Sequence, residues 1–159
     1  MKRIQPNALA FVLLSALSVG VFAETPSHRD AKVFVHQAQI GQNLRAIALT
    51  AAMQTVSFTA LSAKLGRADA SLAVSEEIDA LLPRYQPKRD ENIAQAFEKS
   101  FSEEELSSLA LEGRSSKYAP KIKERQNKIG MAMEASSKPI LTEMVSEALN
   151  AALSKQSLE

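Results

Sequence analysis

Phe101-Ser102-Glu103-Glu104-Glu105-Leu106 decides how this chain is read. Ser102 followed three residues later by Glu105 is a capping box: the serine hydroxyl accepts from an orphan first-turn amide, and the glutamate reaches back to the serine's own amide. Three consecutive carboxylates suit the positive end of a helix dipole. A helix therefore starts at Glu103 and runs to about Glu112. Gly113 is the residue at which it stops.

Working outward, the apolar residues keep helical steps of three and four, and none of the alternation that strands require is present. Upstream, Pro87 suits the first turn of a helix carrying Ile93, Ala94, Phe97 and Phe101 on one stripe. Before it, Ser71 to Leu82 reads as a helix with Leu72, Val74, Ile78, Leu81 and Leu82 inward and Glu76, Glu77 and Asp79 outward, interrupted at Pro83. From Ala31 to Leu65, Val33, Ile40, Leu44, Ile47, Ala51, Phe58, Leu61 and Leu65 share a face, as one long helix or two joined ones. Gly41 and the cluster Thr55, Val56, Ser57, Thr59 weaken that run, and Gly66 caps it.

Downstream, Arg114-Ser115-Ser116 is a loop, and a further helix begins between Lys117 and Lys121 and buries Ile122, Ile129 and Met133. Lys138-Pro139 marks a boundary or kink. A last helix then presents Ile140, Leu141, Met144, Val145, Ala148, Leu149, Ala152 and Leu153 and ends near Lys155. The expectation is an all-α bundle of five or six helices over residues 31–155, preceded by a flexible segment 24–30 and followed by a tail 156–159.

The first residues carry a different message. Met1-Lys2-Arg3 is a basic head, Ala8 to Phe22 is almost wholly apolar, and Val21-Phe22-Ala23 gives the small residues that a signal peptidase needs. The apolar run is about 15 residues, short of the roughly 20 that span a bilayer. Residues 1–23 are thus predicted to be a signal peptide cleaved after Ala23, which places the mature chain in the periplasm.

Composition narrows the functions. The chain has no cysteine, so disulfides, thiol catalysis and thiolate metal sites are excluded. Tryptophan is absent and aromatics are 5%, which leaves little for sugar platforms or base stacking. Without Lys2 and Arg3 the chain holds 17 basic and 18 acidic side chains, a formal charge of −1, which gives nucleic acid no general attraction.

Single residues suggest no chemistry. His28 and His36, with Glu24 and Asp30 nearby, lack the spacing and supporting shell of a metal site, so no cofactor or metal is expected. Ser57, Ser62 and Ser75 lie in helical patterns without a strained turn. The acidic runs Glu76-Glu77 and Glu103-Glu104-Glu105 read as exposed faces and a cap, not as acid/base pairs.

Charge distribution says more. Glu76 to Glu112 holds ten acidic and four basic residues, a net of −6, whereas Arg114 to Lys128 holds six basic and one acidic, a net of +5. Lys117, Lys121, Arg125 and Lys128, spaced by four, four and three, form one basic ridge on a continuous helix. That ridge is either a solubilising face that pairs with the acidic helices or a contact for an anionic partner, a lipid surface or an acidic protein. Met131, Met133 and Met144 among alanines form either core or an adaptable groove.

Phe97 to Leu106, with its aromatic residues ahead of Phe-Ser-x-x-Glu-Leu, resembles exported bacterial proteins of the domain of unknown function 2059 family. The resemblance extends over about Ile78 to Leu153 and implies a small helical domain of the Gram-negative envelope with no assigned activity. Where members usually carry Phe-Tyr, Ser/Thr-Pro, Gly and Lys, this chain reads Leu111-Glu112-Gly113-Arg114-Ser115-Ser116-Lys117-Tyr118. No functional residue is carried over. The expected function is that of an exported binding or accessory protein and not an enzyme. The alternatives are a peripheral anionic-lipid binder and an enzyme with unrecognised carboxylate chemistry.

Overall fold

The structure, a computed structural model, describes residues 24–156. The expected signal peptide, residues 1–23, and all but the first residue of the expected tail lie outside them. The described residues form six α-helices and no strand: α1 (Pro26–Gln37), α2 (Leu44–Ala52), α3 (Val56–Leu65), α4 (Arg67–Glu98), α5 (Glu103–Glu112) and α6 (Ala119–Lys155), with a 3-10 turn at Gly113–Ser115. The all-α bundle is as the sequence predicts. Its partition is not.

The capping box is present in full. Glu105 N donates to Ser102 Oγ at 3.3 Å, and Ser102 N donates to Glu105 Oε2 at 3.0 Å. Phe101 and Leu106 are both buried, and α5 stops at Gly113 as expected, with a φ of 57° that favours glycine.

At the two places read as a break or kink, neither helix ends. The helix α4 runs 32 residues through Pro83 and Pro87, and α6 runs 37 residues through Pro139. Each proline removes one bond, to the carbonyls of Asp79, Pro83 and Ala135 respectively. All three prolines and all three of those residues face solvent, so water takes up the orphan acceptors. Meanwhile the buried stripe Ala70, Val74, Ile78, Tyr85, Arg89, Ile93, Phe97 continues past the prolines and holds α4 in one piece.

Between residues 31 and 65 the correction runs the other way. The run is divided among α1, α2 and α3, with turns at 38–43 and 53–55. Gln39 and Gly41 have φ of 54° and 87°, which no helix tolerates. Thr55 closes the second break by capping α3, accepting from Phe58 N at 3.1 Å. Val33 and Leu72, expected inward, are 39% and 60% exposed. The segment 24–30, expected to be flexible, instead begins α1: Thr25 accepts from His28 N at 3.1 Å, Pro26 sits in the first turn, and His28 is fastened to α4.

The long pair α4 and α6 is the axis of the molecule. Around one half of it, α2 and α3 complete a core of Leu44, Ala48, Phe58, Leu61, Val74, Ile78, Tyr85, Met144, Ala148 and Leu149. Around the other, α1 and α5 complete a second core of Phe34, Val35, Ile93, Phe97, Phe101, Leu106, Leu109 and Ile129. In the second core Phe97 meets Phe34 edge-on at 5.4 Å and stacks on Phe101 at 5.7 Å. Between the cores the α4/α6 seam is polar, with Asn92 Nδ2 donating to Ser136 O at 2.8 Å.

Candidate functional site

The basic ridge is on one side of α6, as its spacing requires, but it faces the start of α5. Arg125 Nη1 donates to Glu105 Oε2 at 2.7 Å and to Ser100 O at 2.7 Å, and Lys121 Nζ donates to Glu105 Oε1 at 2.5 Å. Lys117 reaches Glu104 at 3.4 Å, and Lys128 donates to Lys99 O at 3.3 Å. Hydrogen bonds from Arg125 and Lys121 hold the Glu105 carboxyl at about 2, against its ordinary 4.5. Of the two readings of the ridge Lys117, Lys121, Arg125, Lys128, the contacts are those of a face paired with the acidic start of α5: Glu105 takes Lys121 and Arg125, and the exposed Lys117 reaches Glu104.

His28 is the second ionic centre. Its Nε2 lies 2.9 Å from Glu91 and its Nδ1 2.9 Å from Glu98, with Glu24 at 3.8 Å, and its side chain is 13% exposed. Burial opposes the charged ring, but hydrogen bonds and charge from Glu91 and Glu98 outweigh it and raise the His28 pKa above 6.5. The sequence reading set His28 beside His36 and Asp30 and missed the carboxylates some seventy residues on. Among the described residues no cluster of His, Asp and Glu has the geometry of a metal site.

Each described carboxylate with a shifted pKa is shifted downward, toward the ionised form. Hydrogen bonds from Arg45, Thr25 and Tyr118 lead the causes at Asp79, Glu98 and Glu104; at Glu91, burial opposes the shift and hydrogen bonds from Gln95 and His28 overcome it. In the pair Glu76-Glu77 only Glu76 is exposed; Glu77, 13% exposed, is paired to Lys155.

An apolar concavity lies elsewhere. A groove of about 680 Å³ runs between the end of α1 with its turn and the start of α6. Phe34, Ala38, Ile40, Ala119 and Ile122 make its apolar lining, Arg114 and Lys123 stand at it, and no carboxylate lines it. Of the groups singled out from the sequence, Gly113, the loop residue Arg114 and the apolar Ile122 and Ile40 come together here. The methionine alternative resolves by position: Met144 is core, Met133 half-buried, and Met131 is 72% exposed.

No helix among the described residues is long and apolar enough to cross a membrane, and the apolar α2/α3 pair, bent by 78°, turns that face into the first core. No family model, no curated protein and no solved structure matches this chain.

Proposed function

We propose that this protein is an exported helical binding protein of the bacterial envelope, freed of residues 1–23 by cleavage after Ala23. It holds an apolar segment of an acidic partner protein in the groove between α1 and α6. We further propose kinship with the domain of unknown function 2059 family, on the strength of the Phe-Ser-x-x-Glu-Leu cap and the helices around it.

The observation that carries the reading is the lining of the groove: an apolar floor with Arg114 and Lys123 and no acidic side chain. Such a surface favours apolar burial in its floor and anionic neighbours at its edge. Engagement of Lys121 and Arg125 by Glu105 takes two cations from a lipid-binding face, which supports a protein partner over anionic lipid. Acid/base catalysis asks for a carboxyl raised toward neutrality; the shifted carboxylates move the other way, held by the chain's own donors.

The test is a photo-reactive residue placed at Gln126 in the groove and, separately, at Lys128 on the ridge, in cells that export the protein. An adduct with an envelope protein is expected at Gln126, and replacing Arg114 and Lys123 by Glu abolishes it. No adduct there, or one at Lys128 alone, overturns the groove. Anionic vesicles at low salt are expected to leave the protein unbound, and salt-sensitive retention would favour the lipid reading instead.

A further inference from the structure

The outer face of α5 carries a leucine that its own fold leaves in water. Leu111 is 83% exposed, while Leu106, Leu109 and Ala110 of the same helix are buried. It shares an open depression with Glu103, Glu104, Glu112 and Lys117. Lys117 is taken by Glu104, and Glu112 accepts from Ser108 Oγ at 2.9 Å. Among the described residues, Glu103 and Glu112 therefore have no cationic partner.

The opposite kind of surface begins at the next residue. Gly113 and Arg114 line the α1/α6 groove, whose apolar part includes Phe34, Ile40 and Ile122. Arg114 and Lys123 at that groove are exposed and, among the described residues, have no ion-pair partner. One surface thus offers an apolar side chain among carboxylates, the other an apolar floor beside cations. The exposure of Leu111 means that the two do not meet within one chain.

We propose that the groove receives Leu111 and the end of α5 from a second copy of this chain, with the α5 carboxylates toward Arg114 and Lys123. This rests on the groove being a binding site, as proposed above, and names its occupant. A floor of about 680 Å³ has room for a leucine and the helical turn around it. The two surfaces adjoin through Glu112 and Gly113, so each copy offers both at one place. A two-fold axis beside them makes the exchange reciprocal and closes it at two copies, whereas complementary surfaces far apart on a molecule build open chains. Adjacency also separates Leu111 from Leu72, which is 60% exposed with Asp69 and Glu76 one turn to either side. Leu72 belongs to the end of α4 packed in the other core, away from the groove. Each apolar burial and each charge pair at a two-fold contact counts twice.

Sedimentation of the protein recovered from exporting cells is expected to show a concentration-dependent pair that stops at two copies and weakens with salt. Leu111→Gln raises the dissociation constant at least about tenfold, and Leu72→Gln leaves it unchanged. Arg114→Glu with Lys123→Glu gives single copies, as does Glu103→Lys with Glu112→Lys. Mixing the two variants restores the pair, since both half-contacts again join opposite charges. Single copies at every concentration overturn the proposal, as do a mass that grows past two copies and a Leu111→Gln that associates like the parent. The photo-reactive residue at Gln126 separates this inference from the reading it rests on. An adduct of twice the chain's mass supports the second copy. An adduct with a different protein alone overturns the second copy and leaves the groove standing, and no adduct overturns both.

Discussion

Glu105 does three jobs with two oxygens: it closes the capping box on Ser102, receives Arg125 and receives Lys121. Its pKa, held at about 2 against 4.5 when unfolded, sets the sign of a pH effect. A depressed carboxyl contributes stability above its unfolded value and loses it as pH falls through the folded one. Glu105→Gln is expected to lower stability at pH 7 by about 2–3 kcal/mol, less than a fully buried pair because Lys121 is 38% exposed. Urea midpoints at pH 7, 5 and 3 check this: the gap between variant and parent narrows from pH 5 to pH 3, and a gap that stays constant would rule out the ionic clamp. The capping box was legible in the sequence because its partners are three residues apart. Arg125 was legible only as a charge on a ridge, since its partner is fixed by how α6 folds back on α5. Arg89 went unremarked, although its four-residue spacing from Tyr85 and Ile93 on an apolar stripe was the available signal.

Helix boundaries divide into those written locally and those decided by packing. Gly113 acts within one turn and was found from sequence; Thr55 caps α3 just as locally, but within its apolar run the sequence left one helix or two open. Whether Pro83, Pro87 and Pro139 end a helix depends on which side of it meets water, and that is settled only when α4 and α6 pack together. If hydration of the Pro83 carbonyl is all that Pro87 leaves behind, Pro87→Ala restores a bond and is expected to stabilise by about 1–3 kcal/mol. The urea midpoint should rise with an unchanged slope; a fall would mean that the proline shapes α4 for its neighbours. Gly41 is the converse case. Its φ is 87°, and a Cβ there would overlap the Cδ1 of fully buried Ile93. Gly41→Ala is expected to destabilise by about 2–4 kcal/mol, backbone strain and overpacking together. A loss below 1 kcal/mol would mean that the 38–43 turn can move away from α4.

Two apolar cores strung along α4 and α6, with a polar seam between them, make a molecule in which one end has means to loosen without the other. The end closed by α1 and α5 has a titratable fastening: His28 on α1 faces Glu91 and Glu98 of α4, with Glu24 and Lys32 beside it. The raised His28 pKa contributes stability fully below 6.5 and loses it as pH rises through the folded value. The lowered Glu91 and Glu98 contribute above 4.5 and fail as pH drops, so the fastening is complete between those limits. Amide exchange, corrected for its own base catalysis, reads this directly. From pH 6 to pH 9, protection in α1 is expected to fall, while α2 and α3 in the other core keep theirs. His28→Gln should remove the pH dependence and leave α1 at the weaker level throughout. Equal losses in both cores would show that the helical axis couples them into one cooperative unit, and an α1 indifferent to pH would mean that the aromatic cluster of Phe34, Phe97 and Phe101 holds it without help from the histidine.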